Sequence, residues 1–124
     1  MRGQGRPQPS RAIVAIGLAS TMGVLALAYA AGPPVDLGSA ETIQRGQTLF
    51  SQACTNCHGD DGNGGPVPLR GRSDLTPEEI FDTISNGRTR GSNLMPAWKE
   101  SLSEAERWEL TAFIVSMAHL PPSH

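Results

Sequence analysis

Large aromatic side chains are scarce in this sequence, with two Trp, one Tyr and three Phe in 124 residues. Glycine and proline, at 14 and 10, are plentiful instead. A single short domain of that composition builds a modest apolar core and needs a metal, disulfides or a cofactor at its centre. Strand patterning is missing too. No segment alternates apolar and polar residues, so an all-α domain is expected. There is no internal repeat and no low-complexity tract, and Cys54 and Cys57 have no second cysteine pair to join them.

Acidic residues are absent from the N-terminal stretch. Arg2, Arg6 and Arg11 precede an uncharged run from Ala12 to Ala31, and Ala28-Tyr29-Ala30 has the small-residue pattern of a cleavage site. Residues 1–30 therefore read as a secretory signal peptide. The same run approaches the ~20 residues that span a bilayer, so an uncleaved membrane anchor is the alternative. Either way the remainder lies outside the cytoplasm, because no Lys or Arg recurs until Arg45. No twin-arginine pair is present, which points to the general secretory route. The expected location is the periplasm, free or held at the outer face of the inner membrane.

All 12 acidic residues lie beyond Ala30, whereas three of the 10 Lys and Arg precede it, so the exported part is net acidic. No nucleic-acid partner is expected. Arg70, Arg72, Arg88 and Arg90 fall in the middle of the chain, and acids dominate from Glu100 to Glu109. A solvated surface and a docking surface are the two readings of this polarity.

A Gly/Pro-containing linker at 31–38 leads into a domain over 39–124 with three main helices. Ser39 caps the first, which runs to about Ala53 with Ile43, Gly46, Phe50 and Ala53 on one face. Thr76-Pro77-Glu78-Glu79 is a capping box with Pro at the first helical position, and Asn86-Gly87 closes that helix. Ser103 to Glu106 repeats the box and starts the last helix. Its apolar stripe is Leu110, Phe113, Ile114, Met117 and Leu120, with Pro121-Pro122 as the stop.

Chemistry concentrates where the first helix ends, at Cys54-Thr55-Asn56-Cys57-His58. Two thiols three positions apart on a helical turn can each form a thioether to a haem vinyl group, and the next residue, His58, then lies under the iron as proximal ligand. Other readings of the pair lack support. A zinc site needs four ligands, and His119 and His124 are too ill-spaced to complete one. A thioredoxin-like pair needs a βαβ context, and a disulfide closing so short a loop constrains the unfolded chain little. The best sixth ligand is Met95 in Asn93-Leu94-Met95-Pro96-Ala97-Trp98, after a loop containing Gly87 and Gly91, with Pro96 stiffening the chain behind it. Met117 and His119 are its rivals. The apolar stripe accounts for Met117, and a helix's last turn accounts for a basic residue at 119.

From about Ser39 to Leu120 the chain resembles the class I c-type cytochromes, the small bacterial monohaem kind. The likeness rests on Arg45-Gly46-Gln47-Thr48-Leu49-Phe50, Cys54 to His58, Gly65-Pro66-Val67-Pro68-Leu69-Arg70-Gly71, Met95-Pro96-Ala97-Trp98 and Trp108 to Ile114. It implies a cytochrome c fold around one covalent haem c. It also implies that the first and last helices cross at Gly46, with Phe50 meeting Phe113 or its neighbours. A backbone carbonyl from the run Gly65 to Pro68, which an extra proline before Leu69 keeps from being aligned to one residue, would accept the other ring N–H of His58, and Pro66 is expected at the haem. Arg70, Arg72 and Trp98 are candidates for the haem propionates, against plain surface charge or core packing.

With both axial seats filled by protein, no position remains open for a small substrate, so an electron-transfer protein rather than an enzyme is expected. The exchange surface would lie near Cys54, Pro66 and Pro96, and redox donors and acceptors would dock there transiently. Two classes stay open: a diffusing periplasmic carrier, or a membrane-tethered haem subunit of a larger oxidoreductase.

Overall fold

The computed structural model describes residues 32–122. The signal or anchor expected at 1–30, the first linker residue and His124 lie outside the described residues.

Local signals in the sequence set the helix ends. Helix α1 spans Ala40–Ala53, and the Ser39 side chain accepts the Thr42 N–H at 3.1 Å. Helix α2 is one turn, Thr55–His58. Helix α3 spans Pro77–Asn86 and α4 spans Glu104–Ala118, each opened by a complete capping box. Thr76 and Ser103 each accept from the helix while Glu79 and Glu106 reach back to the cap N–H at 2.8 Å. Both boxes satisfy N-terminal donors that helix geometry leaves unpaired.

The chain is mostly helical, as expected, with one small addition: strands β1, Arg88–Arg90, and β2, Asn93–Met95, form an antiparallel hairpin with Arg88 opposite Met95. Three-residue strands are too short to show alternation, which is why the pattern was invisible in the sequence. One expectation needs correcting: the apolar stripe of the last helix stops at Met117. Leu120 lies past the helix end and is 45% exposed, because its N–H turns back to the Met117 carbonyl at 3.0 Å.

Helices α1 and α4 cross as the family resemblance implied. A Cβ on Gly46 would overlap the Glu109 carbonyl and sit 2.9 Å from Phe113 Cβ, so the backbones touch where the side chain is missing. One turn on, the Phe50 and Phe113 rings meet edge-to-face with centroids 5.2 Å apart. Phe50, Ile80, Ile84, Leu110, Ile114 and Met117 form the buried cluster that joins α1, α3 and α4. Burying each such side chain contributes roughly 1.5–3 kcal/mol.

Candidate functional site

Two arms of the chain carry the expected ligands, and each is built on a different helix end. The first begins at Cys54, whose N–H bonds the Phe50 carbonyl at 2.9 Å and closes α1. The chain re-enters a helical turn at once, with the His58 N–H on the Cys54 carbonyl at 2.9 Å. That turn places Cys54, Cys57 and His58 together at one corner. Both cysteines are free thiols, Cys54 half-buried and Cys57 exposed. Burial, with a smaller contribution from the neighbouring Cys57, pushes the Cys54 thiol up to about 11 and keeps it protonated at neutral pH.

His58 is half-buried, with the Phe50 ring 6.5 Å from its own. Burial lowers its pKa, and the Val67 carbonyl partly opposes that. The imidazole is therefore held neutral, the form in which it ligates a metal. Nδ1 is buried and makes no hydrogen bond of standard geometry, although the Val67 carbonyl favours a proton on the ring. The two facts agree if that carbonyl lies within electrostatic reach of Nδ1–H without being aligned to it. Val67 falls inside the expected Gly65–Pro68 run, one residue past Pro66, which is exposed.

The loop after His58 folds back over the turn. The Gly64 N–H bonds the His58 carbonyl at 2.7 Å, and the Leu69 N–H bonds the Gly62 carbonyl at 2.7 Å. Gly65 has φ +73°, and a Cβ there would overlap the Cys57 carbonyl, so only glycine permits this return. A Cβ on Gly62 would overlap the Met117 sulfur. Met117 is thus buried against the loop and in the core cluster. His119 caps α4 and is exposed.

The second arm carries Met95. It ends β2, is half-buried and packs against the core cluster. The chain beyond it is fixed to the end of α3, with the Trp98 N–H on the Ile84 carbonyl at 2.9 Å and the Lys99 N–H on the Ser85 carbonyl at 3.2 Å. Trp98 is half-buried against the same cluster.

The four central arginines divide into two pairs. Arg70 Nε donates to the Pro121 carbonyl at 3.0 Å, and Arg72 makes a two-pronged contact with Asp74 at 2.8 and 2.9 Å. Arg88 and Arg90 lie exposed on β1 without an ion pair among the described residues. Leu94, 73% exposed, stands opposite Thr89 on the other face of that hairpin.

These residues fit a haem. The donor set is a pair of unbridged thiols, a neutral imidazole and a thioether. Half-buried apolar groups, among them Leu69, Leu75, Trp98 and Phe113, pack against the same core cluster as Cys54 and Met95, apolar surroundings compatible with a large flat ring. No cluster of three or more His, Cys, Asp or Glu could hold a bare metal ion among the described residues. Nor is any helix there long and apolar enough to cross a membrane. Sequence reading did not single out one contact near this site. Arg107 donates to the Ser85 hydroxyl at 2.6 Å and lies 5.0 Å over the Phe81 ring, which stacks on Trp108 at 4.0 Å.

A family model described as cytochrome C oxidase, cbb3-type, subunit III, matches residues 41–114. The cbb3-type cytochrome c oxidase subunit CcoP of Azospirillum sp. (strain B510) is 29% identical over 96 residues, covering 67% of this chain and 30% of that subunit. Chloroplastic cytochrome c6 of Arabidopsis thaliana is 48% identical over 40 residues, 32% of this chain and 23% of the relative. The chain thus spans less than a third of either curated relative. Among solved structures, cytochrome cL of Methylophaga aminisulfidivorans superposes with a TM-score of 0.53 at 27% identity, over 64% of this chain and 55% of that one.

Proposed function

The chain belongs to the class I c-type cytochromes, within the family of cbb3-type oxidase subunit III domains, and from that premise we propose that it is a single-electron carrier outside the cytoplasm. In this reading Cys54 and Cys57 would hold one haem c through two thioethers, and His58 and Met95 would ligate its iron. When bound, the haem supplies a reversible one-electron ferric/ferrous couple. The observation that carries the reading is the Cys54–His58 turn at the end of α1, joined in one fold with a Met95 segment bonded to the end of α3.

The chain's own residues do the rest. The Val67 carbonyl favours a proton on the His58 ring; carried on buried Nδ1, that proton would leave the other ring nitrogen for the metal. With His58 and Met95 both ligating the iron, the protein would transfer electrons and transform no substrate. Rigid anchoring of both arms keeps rearrangement between redox states small. Of the four central arginines, Arg88 and Arg90 are exposed without an ion pair among the described residues and available to an acidic donor or acceptor, whereas Arg70 and Arg72 have partners inside the fold. The test is optical. Denatured pyridine adducts should report two saturated haem side chains in the parent, and Met95→Ala should lose the far-red methionine–iron band. A ferric Met95→Ala protein that keeps that band refutes the ligand assignment.

The second reading, a tethered haem subunit of a larger oxidoreductase, is favoured by the family model and by the oxidase subunit of which this chain spans 30%. The native N-terminus separates the two. A soluble protein beginning at Ala31 supports the carrier, and an intact residue 1–30 segment in a purified membrane complex supports the subunit.

A further inference from the structure

We propose that Arg107 is a positioning residue for the Met95 segment, acting through Ser85 and the last turn of α3; this rests on Met95 as an iron ligand. Pro96 has no N–H to anchor the chain behind Met95. Ahead of it, Met95 pairs with Arg88 in the β1–β2 hairpin; behind it, the chain is held by two bonds, from Trp98 and Lys99 to the carbonyls of Ile84 and Ser85. Those carbonyls belong to the final turn of α3, where no further helical residues can pair with them. The Met95 segment is therefore the cap on which the end of α3 relies, and the dependence runs both ways. Contact between them is close. A Cβ on Gly87 would lie 2.5 Å from the Met95 carbonyl oxygen and 2.9 Å from the Ala97 nitrogen. A displacement of this turn passes straight to the backbone of Met95.

Arg107 of α4 holds the turn in place. Its Nη1 donates to the hydroxyl of Ser85, which is 4% exposed, at 2.6 Å, while its Nε donates to the Ser103 carbonyl at 3.3 Å. The same guanidinium lies over Phe81, one turn earlier on α3, and that ring stacks on Trp108. It has no ion pair among the described residues, so its fixed fork is committed to joining α3 to α4. Without it the Ser85 hydroxyl loses its charged donor in a buried position, and the turn can shift to recover one.

The test uses haem-loaded parent, Arg107→Gln, Ser85→Ala and a control, Arg45→Gln, which breaks an ion pair between α1 and α4 remote from Met95. Carbon monoxide binding to the ferrous protein reads release of the methionine, and hydrogen exchange reads the Trp98 and Lys99 amides. Arg107→Gln and Ser85→Ala should each speed both by roughly tenfold, the scale of a lost hydrogen bond to a charged group. Arg45→Gln should speed neither. A lowered unfolding midpoint in Arg107→Gln with parental carbon monoxide binding and parental exchange would overturn the proposal, leaving Arg107 a purely structural residue. If Arg107→Gln fails to fold, the small Ser85→Ala change decides by the same measure. Should Met95→Ala keep the methionine–iron band, the ligand assignment fails, yet amide exchange still reports whether Arg107 anchors the segment.

Discussion

Replacing Gly46 by alanine should be among the most damaging single changes in the domain. The added Cβ would overlap the Glu109 carbonyl oxygen, lie 2.6 Å from the Glu109 carbonyl carbon and 2.9 Å from Phe113 Cβ. Two of those atoms are helix backbone and cannot rotate aside, so α1 and α4 must part by about an ångström. Overpacking a tight core typically costs about 1–3 kcal/mol, and a backbone obstacle puts this site at the upper end. Parting the helices also opens the Phe50–Phe113 edge contact, whose geometry is worth about 0.5–1.5 kcal/mol beyond burial. We expect a loss of about 3–4 kcal/mol, which for a domain this size lowers the melting temperature by roughly 15–25 °C. Circular dichroism melts of the haem-loaded protein measure it. A midpoint within a few degrees of the parent would show that the crossing is looser than its geometry, and the argument for Gly46 would fail.

Three further outcomes follow from the same structure. Gly65→Ala forces a Cβ onto the Cys57 carbonyl at a left-handed φ, so the yield of covalently loaded protein should fall severalfold; a parental haem-to-protein ratio refutes this. The carboxylates of Glu79 and Glu106 are held below their ordinary range by the N–H groups of Thr76 and Ser103. Because their folded values are depressed, both stabilise the fold above about pH 4.5 and stop doing so as pH falls through the lower folded values. The Glu79→Ala/Glu106→Ala protein should therefore melt below the parent at pH 7 and converge with it in acid, whereas an unchanging gap would rule this out. Arg88→Gln/Arg90→Gln should slow electron exchange with anionic ferricyanide at low salt and leave a neutral oxidant unaffected, while equal slowing with both reagents would refute a charge effect.

How far the sequence disclosed this protein depended on the range of each signal. Capping boxes are local, and Ser39, Thr76 and Ser103 start helices where the residues beside them required. The Cys54–His58 turn was equally local, since its meaning lies within five residues. The crossing at Gly46 was legible only through the family resemblance, because nothing near position 46 says which backbone approaches it. The β1–β2 hairpin escaped notice because its strands are three residues each and its pairing is set by the ends it joins, α3 and the Met95 segment. The arginines were the least legible. Sequence placed Arg70, Arg72, Arg88 and Arg90 as one group, and only three dimensions separate the first two, with partners at Pro121 and Asp74, from the exposed pair.

Helix α4 has a standing in this fold that its sequence does not advertise. It contributes neither cysteine nor either proposed axial ligand, yet both arms of the site depend on it. Its C-terminal end and the residues just past it secure the first arm: Met117 lies against Gly62, the Gly71 N–H bonds the Leu120 carbonyl at 3.0 Å, and Arg70 reaches the Pro121 carbonyl. Its N-terminal half secures the second through Arg107 and Ser85. Between them, the Gly46 crossing fixes α4 against α1, the helix that delivers Cys54. Helix α4 thereby links the placement of His58 to that of Met95. A perturbation at one end of α4 should disturb one arm alone, while one that forces the α1 and α4 backbones apart at Gly46 should disturb both.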